Sequence, residues 1–212
     1  MRLVLPKGRL LQGVLDLLAR AGLTFEIEDR NYSPRASDAR IEARIFKVRA
    51  VPQLVALGNF DLGFCGLDLV KEADYEDVVP VLDLGLNPVD LVVAVAEEHR
   101  QIVDHPPRRP VLIATEYERT ADRWALAHNL AHITIQTYGS TEGYAPADAD
   151  IVFDCRETGR TLAANDLVVI ETIVESSTYM VANRRSLASP GTGGLIRELE
   201  CELRRALEGR DA

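Results

Sequence analysis

Asp150-Ile151-Val152-Phe153-Asp154-Cys155-Arg156-Glu157-Thr158-Gly159-Arg160-Thr161-Leu162 is an apolar run closed by an acid, followed by a Thr-Gly-x-Thr turn. The apolar run predicts a buried strand over 150–154, and the residues after the turn predict a helix that starts at Ala163. A strand, a tight turn and a helix N-terminus point several backbone N–H groups into one concavity, which is what a phosphate monoester requires. Thr158 and Thr161 add hydroxyl donors, and Gly159 lets the backbone approach a ligand closely. Asp154, at the strand's carboxyl end, is placed to accept hydrogen bonds from a ribose diol, as acids do in open α/β sheets. A Thr-Gly-x-Thr turn alone is equally well a capped helix start. The acid-ended strand before it turns the reading toward a ribose 5-phosphate.

The same strand, turn, helix grammar recurs outward from this stretch. Arg2 to Leu5 predicts a strand, Pro6-Lys7-Gly8 a turn, and Arg9 to Ala21 a helix with Leu11, Val14, Leu15 and Leu18 on one face. Strands are expected at 41–48, 61–65, 111–115 and 132–138, and helices at 51–57, 66–72 and 118–130. Val78 to Leu84 and Pro88 to Ala96 read as consecutive strands separated by Gly85-Leu86-Asn87, and 168–172 and 178–182 as strands running back. From Gly191, Leu195, Leu199, Leu203 and Leu207 mark an amphipathic closing helix. Strands alternating with helices indicate parallel α/β layers. The expected organisation is a first α/β lobe of residues 1–87 plus 177–212 and a second of 88–176.

Two further turns bring chemistry to strand ends. Lys7, Gly8 and Arg9 set two cations at a helix start, where they oppose the helix dipole unless an anion such as a polyphosphate joins them. Taken alone, these read first as solvated surface charge. Asp61-Leu62-Gly63-Phe64-Cys65-Gly66-Leu67-Asp68 runs a strand into a glycine turn; glycine there, Gly66 included, permits close approach of a ligand or, equally, close strand-to-helix packing, and Asp68 reads either as a ligand contact or as a helix-start acid. His128 and His132 are spaced i,i+4, but the expected helix ends near Leu130 and no third ligand stands close in sequence, so a metal site is not expected there.

Composition excludes several classes. A formal charge of -9 argues against a nucleic-acid or anionic-membrane footprint. Three widely spaced cysteines build neither a disulfide framework nor a CxxC site, which fits a reducing compartment. The apolar run before Pro6 is too short for a signal peptide, and Leu91 to Ala96 is far short of the ~20 residues of a membrane helix, so a cytoplasmic, unexported protein is expected.

Taken in order, Leu5-Pro6-Lys7-Gly8-Arg9-Leu10, Asp61-Leu62-Gly63 with Gly66 and Asp68, Leu82-Asp83-Leu84-Gly85, Gly139-Ser140 with Glu142, Ala149-Asp150 through Leu162 and Glu175-Ser176-Ser177 resemble the ATP phosphoribosyltransferase family across nearly the whole chain. The resemblance implies two α/β lobes like those of type II periplasmic binding proteins with a cleft between them, and transfer of a phosphoribosyl group from PRPP to N1 of ATP with Mg²⁺, releasing pyrophosphate. It implies that Asp150 and Asp154 flank the PRPP ribose as catalytic residues, and that Glu157, Thr158, Gly159, Arg160, Thr161 and Leu162 hold the 5-phosphate. Lys7, Gly8, Arg9, Gly66 and Asp68 would lie at the nucleotide, with no direct protein ligand to the metal. The chain resembles the short form, which implies a regulatory subunit resembling histidyl-tRNA synthetase and a homodimer or hetero-oligomer. Asp90 stands where the family has an arginine, Glu116 where a lysine is typical, and Ala50 where an acid is usual. An unpaired acid beside polyphosphate costs binding, so a different acceptor and a non-catalytic two-lobed binder are the alternatives.

Overall fold

The computed structural model describes residues 1–28 and 30–209. The chain divides into two compact units, Met1–Asn87 with Ser177–Ala212, and Pro88–Ser176. The boundaries fall inside two long strands, β6 (Val78–Ala96) and β10 (Leu167–Asn183).

In the first unit, β1 (Arg2–Lys7) pairs in parallel with both β4 (Glu42–Lys47) and β5 (Leu62–Gly66). Residues Thr178 to Ala182 of β10 run antiparallel to β5. Leu3, Val4 and Leu5 are fully buried, which is why this short run reads as apolar without alternation. Gly63 of β5 is required by packing: a Cβ there would stand 2.6 Å from Val4 Cγ1 and 2.7 Å from Val51 Cγ1. On the sheet lie α1 (Leu10–Arg20), α2 (Val51–Ala56), α3 (Leu67–Ala73), α6 (Arg184–Ala188) and α7 (Pro190–Glu208). Val14, Leu17 and Leu18 of α1 share one core with Ile196, Leu199 and Leu203 of α7. The closing helix therefore buries the row through Ile196, while Leu195 and Leu207, expected in the buried stripe, sit only part-buried at its margin. Asn183 fixes the entry to α6: its side-chain oxygen accepts from the Arg185 and Ser186 N–H groups while its amide donates to Val55 O at 2.8 Å.

In the second unit, the later half of β6 is antiparallel to β9 (Ile151–Arg156), and β9 is parallel to β7 (Val111–Thr115), which is parallel to β8 (His132–Gln136). Trp124 of α4 (Glu118–Ala127) packs with Val93, Ile113, Ile151 and Phe153 on one face. Val92, Ala94, Val152, Leu162 and Leu167 form the core of the other. The Trp124 indole donates to Glu171 at 2.7 Å.

Several expected boundaries shift. Residues 78–96 are one strand, because Gly85 and Asn87 take positive φ (59° and 49°) and turn the backbone without ending the strand. The strands expected at 168–172 and 178–182 are likewise one. The helix expected at 118–130 stops at Ala127, before Asn129 at φ 56°. The helix after the Thr-Gly-x-Thr turn begins at Arg160 rather than Ala163 and has five residues, α5 (Arg160–Ala164). A two-stranded hairpin, β2 (Phe25–Glu26) with β3 (Arg35–Ala36), was not foreseen. Among the described residues no helix is long and apolar enough to cross a membrane.

Candidate active site

Because β7, β8 and β9 are parallel, their carboxyl ends share one edge of the second unit, the edge where open α/β sheets bind ligands. There β9 delivers Asp154 and the loop from Glu157 to Gly159, β7 delivers Glu116, and the turn after β8 delivers Glu142 within a 3-10 segment, Thr141–Tyr144. Glu157, Thr158, Arg160 and Thr161 are exposed. Gly159 caps α5 at φ 73°, a left-handed conformation that disfavours any side chain. With only five residues in the helix, its dipole adds little, so an anion here would be held by loop amides and the Thr158 and Thr161 hydroxyls. Leu162 is buried in the core beside Val152 and anchors the loop from below.

Asp154 has an unusual electrostatic setting. Burial pushes its carboxyl up to about 6, and the Glu142 and Glu116 carboxylates add to the rise, while the Cys155 N–H, donating to Asp154 Oδ1 at 2.7 Å, opposes it.

Asp150 is not brought to this edge. It precedes the other end of β9, about 13 Å from Asp154 at the usual strand rise. There it is 5% exposed, accepts two hydrogen bonds from Arg109 at 2.7 and 2.9 Å, and accepts the Leu112 N–H at 2.9 Å. The Arg109 guanidinium holds its carboxyl below the usual range, with the Leu112 bond assisting. Asp150, expected to flank a ribose, here ties Arg109 and the Leu112 N–H to the start of β9.

In the first unit, β1, β4 and β5 are parallel and again place their carboxyl ends on one edge. Lys7 ends β1, Gly8 turns the chain at φ 107°, and Arg9 opens α1; Gly66 ends β5 and Asp68 lies buried in the first turn of α3. Gly66 has φ −68°, so its backbone does not itself require glycine. Tyr32, overlooked in the sequence, joins this group: Lys7 Nζ donates to its hydroxyl at 3.1 Å and lies 4.8 Å from its ring centre. Tyr32 O accepts the Ile45 N–H of β4, so the loop carrying it is docked on the sheet.

Cys65 is fully buried, and burial, with the Asp68 charge assisting, pushes its thiol far up, which removes it as a nucleophile. His128 bonds Trp124 O through Nδ1, and His132 pairs with Asp122. Among the described residues no three His, Cys, Asp or Glu side chains form a metal-holding group.

The chain as a whole matches a known family. A family model described as ATP phosphoribosyltransferase (HisG) matches residues 47–205. An ATP phosphoribosyltransferase of Chlorobium luteolum is 36% identical over 90% of this chain, which spans 66% of that relative's length. One from Pelotomaculum thermopropionicum is 34% identical over 99% of this chain and 74% of its own. A solved chain of the ATP phosphoribosyl transferase (HisG:HisZ) complex of Thermotoga maritima superposes with a TM-score of 0.86 at 26% identity, each chain covered to 99%. The fold alone extends to the BvgS VFT2 domain of Bordetella pertussis, with a TM-score of 0.54 at 14% identity over 98% of this chain and 85% of that one. The protein is built of two α/β lobes resembling type II periplasmic binding proteins. The chain belongs to the ATP phosphoribosyltransferase family.

Proposed function

We propose that the chain catalyses transfer of the phosphoribosyl group of PRPP to N1 of ATP with release of pyrophosphate, the first step of histidine biosynthesis. The observation that carries this reading is the carboxyl edge of β9, where a proton-holding acid stands directly before an exposed Glu157 to Thr161 loop that turns on Gly159. Thr158, Thr161 and the loop amides hold the 5-phosphate, with Glu157 and Arg160 flanking it. Asp154 receives the ribose hydroxyls and, once ionised, stabilises positive charge developing on the sugar ring. Lys7, Gly8 and Arg9, with Gly66 and Asp68, hold the nucleotide, and Lys7 supplies a cation for its phosphates. No protein nucleophile is needed, and positioning supplies most of the rate.

Mg²⁺ keeps most of its contacts to substrate phosphates and water, so no direct protein ligand is assigned to it. Bound with PRPP, Mg²⁺ would neutralise the leaving pyrophosphate. The likeness to the HisG:HisZ complex supports a regulatory partner subunit and a hetero-oligomer, and three free cysteines fit the cytoplasm. Titration calorimetry with PRPP and Mg²⁺ tests the donor half: the chain binds PRPP, and Thr158→Ala and Asp154→Ala weaken binding at least tenfold. Equal affinity in both variants would refute the assignment of this loop.

A further inference from the structure

Arg156, the last residue of β9, sits directly before the loop proposed to hold the phosphate. Its Cα partner on β6 is Asp90, and Arg156 Nη2 donates to Asp90 Oδ2 at 2.7 Å, with the two side chains 32% and 34% exposed. Partners across a ladder share a face, as do residues two apart along a strand. Asp90 and Val92 of β6 therefore lie on the same face as Arg156 and Asp154 of β9. The Arg156 guanidinium on that face is bonded to Asp90.

The direction of that bond fixes where the arginine stem lies. A Cβ placed on Gly159 would meet Arg156 Cδ at 3.4 Å and Cγ at 3.8 Å, so the stem lies against the left-handed turn that starts α5. A long cationic side chain held at its tip covers apolar surface with its methylenes. Without the tether the same stem has its full set of rotamers, and the turn loses a wall.

We propose that Arg156 is a positioning residue of the phosphate loop, aimed by Asp90, and that this pair sets the affinity for the phosphorylated donor. The proposal rests on the reading of 157–161 as the donor-phosphate loop. It also accounts for the acid at position 90: Asp90 is paired, so it does not stand as an uncompensated charge beside the ligand.

The test uses the full chain with Asp90→Asn, Arg156→Met and the double variant, each checked for an unchanged melting temperature, with Arg156→Lys as the conservative variant. For an ion pair whose side chains are 32% and 34% exposed the expected effect is about threefold to fivefold weaker PRPP binding by calorimetry. The change falls on KM for PRPP rather than on kcat, and KM for ATP is unmoved. The double variant is no weaker than Arg156→Met alone, and Arg156→Lys recovers part of the loss. Amide exchange over 157–161 is faster in both single variants without any ligand. Unchanged exchange together with unchanged PRPP affinity, or losses that add in the double variant, would overturn the proposal. Faster exchange in a chain whose wild type does not bind PRPP would instead sink the donor reading while supporting the positioning role.

Discussion

Asp154→Asn should stabilise the folded protein while abolishing its turnover. The carboxyl moves from an ordinary value of 3.8 to about 6 on folding, because burial and the Glu142 and Glu116 charges oppose its ionisation. The folded state then holds the Asp154 proton more tightly than the unfolded state, so its contribution is full below pH 3.8 and is lost as pH rises through about 6. At 1.36 kcal/mol per tenfold change in proton affinity, the loss above pH 7 reaches ~3 kcal/mol, and partial solvation of the carboxyl reduces what one substitution recovers. Asparagine keeps the shape, carries no charge and can donate to Glu142. For a chain of this size the gain corresponds to a rise of about 5 °C in Tm at pH 8, shrinking toward zero at pH 4. Thermal melts followed by circular dichroism across pH 4 to 8 read this directly. A variant that melts lower than wild type at pH 8, or gains equally at both ends of the range, would refute the assignment of Asp154 as a carboxyl held against its charge.

Asp150→Ala leaves the Leu112 N–H and Arg109 without their buried acceptor, so it should cost about 1–3 kcal/mol in denaturant melts; PRPP affinity of the folded fraction should be unaltered. Gly63→Ala drives a methyl into Val4 and Val51 and should destabilise by about 1–3 kcal/mol in the same assay. Lys7→Ala should raise KM for ATP about tenfold with little change in KM for PRPP, and Tyr32→Phe, which removes the hydroxyl that accepts from Lys7 but keeps the ring, should have a smaller effect in the same kinetics.

The strand, turn, helix units at both strand-end sites were legible in the sequence because their information is local. Buried strands read as short apolar runs, and the turns carry glycine where φ is positive, as at Gly8 and Gly159. Elements whose definition depends on partners were not legible in this way. Gly85 and Asn87 look like a break, yet β6 runs unbroken from Val78 to Ala96 with both at positive φ. The hairpin of β2 and β3 has two residues per strand, too few for any period to show. The turns of the candidate site are local in sequence, whereas the partners of its acids are set by long-range pairing. Asp150 and Arg109 are 41 residues apart, and Asp90 and Arg156 are 66 apart. Neither pairing follows from residue type or spacing, although each changes what the acid does. Tyr32 escaped notice because a lone aromatic in a polar loop gives no pattern, and only the fold places it over Lys7.

The most direct test is pyrophosphate release from PRPP and Mg²⁺ with ATP as acceptor, run with the chain alone and with a regulatory subunit from the same genome. The account predicts ATP-dependent release, lost in Asp154→Ala and Thr158→Ala. No ATP-dependent release in either condition, from a chain that binds PRPP, would contradict it.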